Sequence, residues 1–151
     1  MTKSELTGFI KTLGIECEAR EGLQFAEIIA DPANLHAIAL RLRNNEEISF
    51  DFLVCVTGMD YGKELGVIYH LRSTVNKHEL VLKTKTADRI NPHFESVTDI
   101  WKSAEFLERE VYDLLGIKFT NHPDLRRLFL DNSWGFPLRK DYVDDANIVS
   151  K

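Results

Sequence analysis

The chain is 151 residues long and carries 19 Lys and Arg against 24 Asp and Glu, a formal net charge of −5. That length fits one compact domain, and about a third of the residues are Leu, Ile, Val or Phe, well above the roughly one-fifth floor of chains that stay disordered. An acidic total without a basic block is a poor match to a phosphate backbone, which sets nucleic-acid binding aside.

The two cysteines, Cys17 and Cys55, stand far apart and form no Cys-x-x-Cys pair. A self-contained four-cysteine cluster or zinc ribbon is therefore excluded, and a reducing compartment suits the chain better than a disulfide framework. The longest apolar runs, such as 52–56, fall far short of the roughly 18 residues a spanning helix needs. The N-terminus has an acidic residue early and no signal-like apolar core, so the expected setting is the cytoplasm.

Taken in chain order, Thr2-x-x-Glu5 predicts a capping box, after which Leu6, Phe9, Ile10 and Leu13 keep helical spacing until Gly14. Residues 15–20 and 23–30 flank a Glu21-Gly22 turn and read as a strand hairpin. Asp31 and Pro32 open a second helix with Leu35, Ile38, Ala39 and Leu42 as its buried stripe. From Ile48 the period falls to two, which predicts that Ile48, Phe50, Phe52, Val54 and Val56 share one face of a strand. Two more strands follow, around Leu65–Leu71 and Leu80–Leu82, joined by connections too short for a crossover and hence antiparallel. The expected fold is a two-layer α+β domain of order α-β-β-α-β-β-β-α, its helices on one side of a largely antiparallel sheet.

A third helix is expected from Ser96-x-x-Asp99 as cap to Gly116, with Val97, Ile100, Trp101, Ala104, Leu107, Val111, Leu114 and Leu115 inward. The apolar stripe then centres between Ala104 and Val111, leaving Glu108 at its edge and Phe106, Arg109 and Asp113 on the far side. Glu108 either reaches water or needs a cation or several N–H donors. Phe106 is either an ordinary exposed apolar residue or a contact for another surface.

Phosphate-binding Gly-rich loops, Gly-x-Ser-x-Gly elbows and His-Glu-x-x-His pairs are all missing from the sequence. The five histidines are scattered, so a structural or solvated role is the expectation for each. The remaining feature is a C-terminal segment that interleaves charge, aromatics, Pro and Gly over residues 119–142, longer than idle loops usually are. Arg126, Arg127 and Arg139 suit carboxylates, and Trp134, Phe136 and Tyr142 suit interface anchors. Two readings stand side by side: an arm that docks onto another protein, and an arm strapped over its own domain with Arg126 or Arg127 pairing Glu108 or Glu110. Residues 1–118 are the expected domain and 119–151 its arm, within one structural unit.

Three motifs in order carry a resemblance: Glu108-Arg109-Glu110-Val111-Tyr112-Asp113-Leu114-Leu115-Gly116-Ile117, then His122-Pro123-Asp124-Leu125-Arg126-Arg127-Leu128, then Pro137-Leu138-Arg139-Lys140-Asp141-Tyr142. They closely resemble the C-type subunit of the proton-pumping NADH–quinone oxidoreductase, respiratory complex I, whose mitochondrial counterpart is the 30-kilodalton subunit. Weaker agreement extends upstream through Trp101, Arg89, Pro92, Val67–Leu71 and Gly58-x-Asp60. The resemblance implies a non-catalytic peripheral-arm subunit on the cytoplasmic side of the cell inner membrane, touching the D-type subunit near the quinone cavity, with the B-type subunit as a second candidate neighbour. It implies no metal or cofactor in this chain, the FMN and iron–sulfur clusters residing in partner subunits while electrons pass from NADH to quinone and protons are translocated.

On this reading the subunit-interface residues are Phe106, Glu108, Arg109, Glu110, Asp113, His122, Pro123, Asp124, Arg126, Arg127, Trp134, Phe136, Arg139, Lys140, Asp141 and Tyr142. Phe136 departs from the family, which often has histidine between glycine and proline there. The competing readings are the equivalent subunit of a membrane-bound hydrogenase or ferredoxin-dependent dehydrogenase, and a stand-alone metal-dependent enzyme built around His70 and His122.

Overall fold

A computed structural model describes residues 1–143; the end of the expected arm, 144–151, lies outside the described residues. The first helix, α1 (Lys3–Thr12), starts on the capping box read from the sequence, with Thr2 and Glu5 bonding each other's backbone N–H groups. Gly14, at φ +60°, turns the chain after it in the left-handed region. Strands β1 (Glu18–Glu21) and β2 (Ala26–Ala30) form the expected antiparallel hairpin, though shorter than its apolar runs. Asp31 caps a 3₁₀ turn, Pro32–Asn34, by accepting the Ala33 N–H, and α2 (Leu35–Asn44) continues from it.

Strands β3 (Phe52–Asp60), β4 (Leu65–Arg72) and β5 (Glu79–Thr86) follow, and β5 returns to lie parallel to β2. The five-stranded sheet runs β1-β2-β5-β4-β3 and is otherwise antiparallel. Its inner face carries Ile28, Leu53, Val67, Tyr69, Leu71 and Leu82, which join Leu6 and Ile10 of α1, Leu35, Ile38 and Leu42 of α2, and Val111 and Leu115 of the last helix in one core. Three helices thus cover one side of one sheet, as the element order predicts.

The period-two reading of residues 48–56 slips in phase. Ile48 and Phe50 are buried, but Phe52 and Val54 are exposed while Leu53 and Val56 face the core. Ser49 sits at φ +36° and re-aims the chain between Phe50 and the strand, and a bulge at Val54, where the register jumps between Leu53 and Cys55, restores Val56 to the inner face.

The last helix, α3 (Ala104–Leu115), starts seven positions later than its apolar periodicity predicts, its cap position being Ser103 in place of Ser96. Before it comes a short strand β6 (His93–Glu95), which pairs in parallel with β7 (Lys118–Thr120), a second small sheet that the sequence pattern does not announce. Residues 97–103 turn instead of coiling as α-helix, because Trp101 is pinned by its indole N–H to the Phe50 carbonyl (2.9 Å) and Ser103 by its hydroxyl to that of Leu53 (3.3 Å). Asp99, expected as a capping partner, lies 2.9 Å from His36 of α2. Gly116 closes α3 in the left-handed region at φ +71°.

Candidate functional site

Late initiation of α3 rotates nothing, yet the burial of its faces differs from the sequence expectation. Glu108, expected at the stripe's edge, has no solvent exposure. One carboxylate oxygen accepts the Val97 N–H (2.9 Å) and the other the Ser96 hydroxyl (2.7 Å), which is why Ser96 does not cap α3. No Arg or Lys compensates it among the described residues, and neither Arg126 nor Arg127 reaches it. Burial therefore pushes Glu108 up to about 7, against the pull of those two donors and with a small push from Asp99.

His122 stands 4.0 Å from Glu108 but is no counter-charge. Its Nδ1 accepts the Asp124 N–H (3.0 Å), so the ring proton sits on Nε2 and is donated to the Glu105 carbonyl (2.9 Å). Across the core the Tyr69 hydroxyl is fully buried without a protein partner, and burial, followed by the Glu108 charge, raises its pKa well above the ordinary tyrosine value.

Arg109 and Asp113, expected on the solvent side, are buried because residues 126–139 fold across that face of α3. Arg109 donates to the carbonyls of Arg126 (3.1 Å) and Arg127 (2.8 Å). Asp113, fully buried, accepts the Arg127 Nε–H (2.7 Å) and the N–H groups of Phe129 (2.8 Å) and Leu130 (3.1 Å). Burial alone would raise the Asp113 pKa; the Arg127 guanidinium and the two N–H groups outweigh it and hold the carboxyl below its ordinary value.

Arg127 also donates to the carbonyls of Asp113 (2.8 Å), Trp134 (2.5 Å) and Gly135 (2.6 Å), and its guanidinium lies 5.2 Å from the Phe136 ring centre. Arg139 covers the same ring at 5.4 Å and donates to the carbonyls of Leu115 (2.6 Å) and Arg89 (3.0 Å). Two guanidiniums thus approach the Phe136 ring, whose negative π face is complementary to each. Beyond it, Asp60 accepts both arms of Arg89 (2.7 and 2.9 Å) and the Lys140 N–H (2.9 Å), so hydrogen bonding to Arg89 first, then to Lys140 and Gly62, holds its carboxyl far below the usual range. Asp141 approaches Arg89 at 3.5 Å.

The strap reading is therefore realised, but through different partners from those expected: Asp113 and backbone carbonyls, in place of Glu108 and Glu110. Asp60 and Arg89 enter the sequence reading only as matching positions; their bidentate pairing joins segments distant in sequence and has no local signal. Glu110 is half-buried on α3, and Tyr142 is half-buried at the end of the strap. Pro123, Asp124, Arg126, Lys140 and Asp141 lie at the surface, where Arg126 pairs with Asp124 at 2.9 Å.

Among these largely polar residues the strap also leaves large apolar side chains outside. Phe106 on α3 and Phe129, Trp134 and Leu138 on the arm are exposed, Phe106 by 59% and Phe129 by 70%. Phe129 and Leu138 do not stand out in the sequence, since an isolated Phe or Leu between charged residues carries no periodic signature.

Fold and framework together define a class: a small two-layer α+β domain that wears its own C-terminal segment as a strap and presents large apolar side chains around it. A family model described as "Respiratory-chain NADH dehydrogenase, 30 Kd subunit" matches residues 28–147, and the chain belongs to that family. The C/D subunit of NADH-quinone oxidoreductase from Phocaeicola vulgatus is 52% identical over 125 residues, 81% of this chain and 24% of that protein. The C-type subunit of the same enzyme from Roseiflexus castenholzii is 41% identical over 123 residues, 79% of this chain and 70% of that one. The chain thus spans about a quarter of the length of the C/D relatives it matches. Among solved structures, a chain of the membrane-bound sulfane sulfur reductase, an archaeal respiratory membrane complex, superposes with a TM-score of 0.80 at 23% identity, covering 97% of this chain and 88% of that chain, so the fold is shared.

Proposed function

We propose that this chain is a non-catalytic peripheral-arm subunit of an NADH–quinone oxidoreductase and that it holds the region of the D-type subunit in place. In that complex, electrons from NADH reach quinone through an FMN and iron–sulfur clusters housed in partner subunits, coupled to proton translocation. The chain's own contribution is geometric: its strap presents aromatic and aliphatic side chains to its neighbours on a rigid base. Among the described residues no helix is long and apolar enough to cross a membrane, and the complex is what brings the chain to the cytoplasmic face.

The observation that carries this reading is the division of labour along α3 and the strap. Arg109, Arg127 and Arg139 are engaged with internal acceptors, while Phe106, Phe129, Trp134 and Leu138 remain exposed. A rigid aromatic side chain on a locked backbone loses little entropy on binding, which is why such residues dominate interface hot spots. The C/D relatives, in which a homologous segment is continuous with a second subunit, add support.

The test is purification of the native membrane complex by its enzymatic activity, with this chain followed through the fractions by mass spectrometry. Co-elution of this chain with the NADH-oxidising and quinone-reducing subunits and with NADH–quinone reductase activity supports the reading; an intact, active complex that lacks this chain overturns it.

A further inference from the structure

Beside the strap lies a groove of about 160 Å³, formed where the outer edge of β3 meets α3 and the arm. Val56, Val111, Leu114, Leu115 and Leu138 give it an apolar wall, Thr57 and Gly58 complete the strand side, and Glu110 is the charged residue on its lining. Packing beside it is close: a Cβ added at Gly58 would meet Leu115 Cδ1 at 2.3 Å and Val111 Cγ1 at 2.9 Å. The groove is thus the space left at the rim of a tight helix–sheet contact.

Three features point to one kind of occupant. At about 160 Å³ the groove matches in size a cavity that holds a benzene-sized group, and its aliphatic wall gives room for one large apolar side chain entering from its open side. Glu110 pairs with no Lys, Arg or His among the described residues, and no cation lines the groove, so its charge is complementary to a base brought from outside. Strand β3 is the edge of its sheet; Trp101 and Ser103 donate to the carbonyls of Phe50 and Leu53, but beyond Leu53 no described residue hydrogen-bonds its outward backbone groups. An open edge favours an extended chain alongside it.

We infer that this groove docks an extended segment of a sister subunit that places one large apolar side chain between β3 and α3 and a Lys or Arg against Glu110. The inference rests on the proposed role in an oligomeric complex and names the chemistry of one of its contacts.

The experiment places the photo-crosslinker p-benzoylphenylalanine at Leu138, whose exposed side chain lines the groove, in the tagged chain within the native complex. One crosslinked product is expected, joining Leu138 to a sister-subunit segment in which an aromatic or aliphatic residue lies within a few positions of Lys or Arg. Glu110→Lys should lower retention of the chain in the complex at least 10-fold under salt wash, and Glu110→Gln less, with both variants melting like the parent. Crosslinking to a second copy of this chain or to an acidic or wholly polar segment overturns the inference. So does a chain that stays in the complex uncrosslinked, or retention unaffected by Glu110→Lys; all these outcomes leave the proposed function standing. A chain that never enters the complex overturns both.

Discussion

Arg127 and Asp113 are joined twice, the guanidinium Nε–H donating to the Asp113 carboxylate at 2.7 Å and an Nη–H to the same residue's carbonyl at 2.8 Å. The carboxylate is fully buried and the guanidinium nearly so, at 0% and 11% side-chain exposure. This pair is the clasp that turns a Pro- and Gly-punctuated tail into part of the fold.

Removing one side of the clasp should cost more than the pair itself contributes. Arg127→Ala strands a buried carboxylate and frees the carbonyls of Trp134 and Gly135, so a loss of about 3 kcal/mol is expected from the general cost of breaking buried pairs. Arg127→Lys keeps the charge but not the fork and should lose less. Urea denaturation gives the size of the effect, and limited proteolysis should show cleavage within residues 128–140 well before the sheet is cut. A variant with parental stability and an uncut arm would mean that the clasp is dispensable.

Glu108 and Asp113 give opposite pH signatures. The folded-state pKa of Glu108 is raised from 4.5 to about 7, so the folded protein binds the extra proton. Stability from this group is complete below about 4.5 and falls as pH rises towards 7, by on the order of 3 kcal/mol over the whole window. Asp113 is lowered from 3.8, so its contribution is present above that value and is lost as pH falls through the still lower folded pKa. Glu108→Gln, which cannot titrate, should flatten the slope between pH 5 and 7 and melt higher than the parent at pH 8, measured by calorimetry across that range. An unchanged slope would show that Glu108 is not its source.

Local chemistry carries α1, whose capping box needs only Thr2 and Glu5, and the alternation of Leu65, Val67, Tyr69 and Leu71. Where structure and sequence pattern differ, the cause is a partner distant in sequence or a local break in the backbone. Ser96 looks like a helix cap until Glu108, twelve residues on, takes its hydroxyl. Arg109 and Asp113 look solvated on an isolated helix, and are buried because the arm returns over them. Phe52 and Val54 face outward because Ser49 re-aims the chain ahead of β3, and the bulge after Leu53 then returns Val56 to the core; a one-residue slip of this kind moves every side chain to the opposite face. Phe106 and Trp134 of the candidate surface are legible in the sequence, while Phe129, Leu138 and the split between residues that fasten the strap and those that face outward require the fold.

Gly116 ties the end of α3 to the strap. At φ +71° an L side chain is strained, and a Cβ there would meet the Phe136 ring at 2.6 Å and Arg139 Nη2 at 3.0 Å. Gly116→Ala should therefore cost about 1 to 2 kcal/mol for the left-handed backbone alone and more from displacing Phe136. Gly14→Ala, also in the left-handed region but with nothing within 4 Å of the added Cβ, isolates the backbone share. Equal melting losses in the two variants would show that Phe136 does not pack against the helix end in solution.

Arg139 and Trp134, neighbours in the strap, should separate folding from assembly. Arg139 donates to the Leu115 and Arg89 carbonyls at 2.6 and 3.0 Å, and charged hydrogen bonds of this kind contribute about 1.5 to 3 kcal/mol each. Arg139→Ala should accordingly lower the melting temperature of the isolated chain. The Trp134 side chain is 41% exposed, while the strap uses its backbone carbonyl, which any residue supplies. Trp134→Ala should thus change folding stability by less than about 1 kcal/mol, yet loosen the chain's hold on the complex at least tenfold if it is an interface anchor. Melting curves of the two isolated variants, set beside the amount of each recovered with the native complex, give both quantities. Parallel losses of stability and retention in Trp134→Ala would mean that the tryptophan belongs to the strap and that the outward surface lies elsewhere on α3 and the arm.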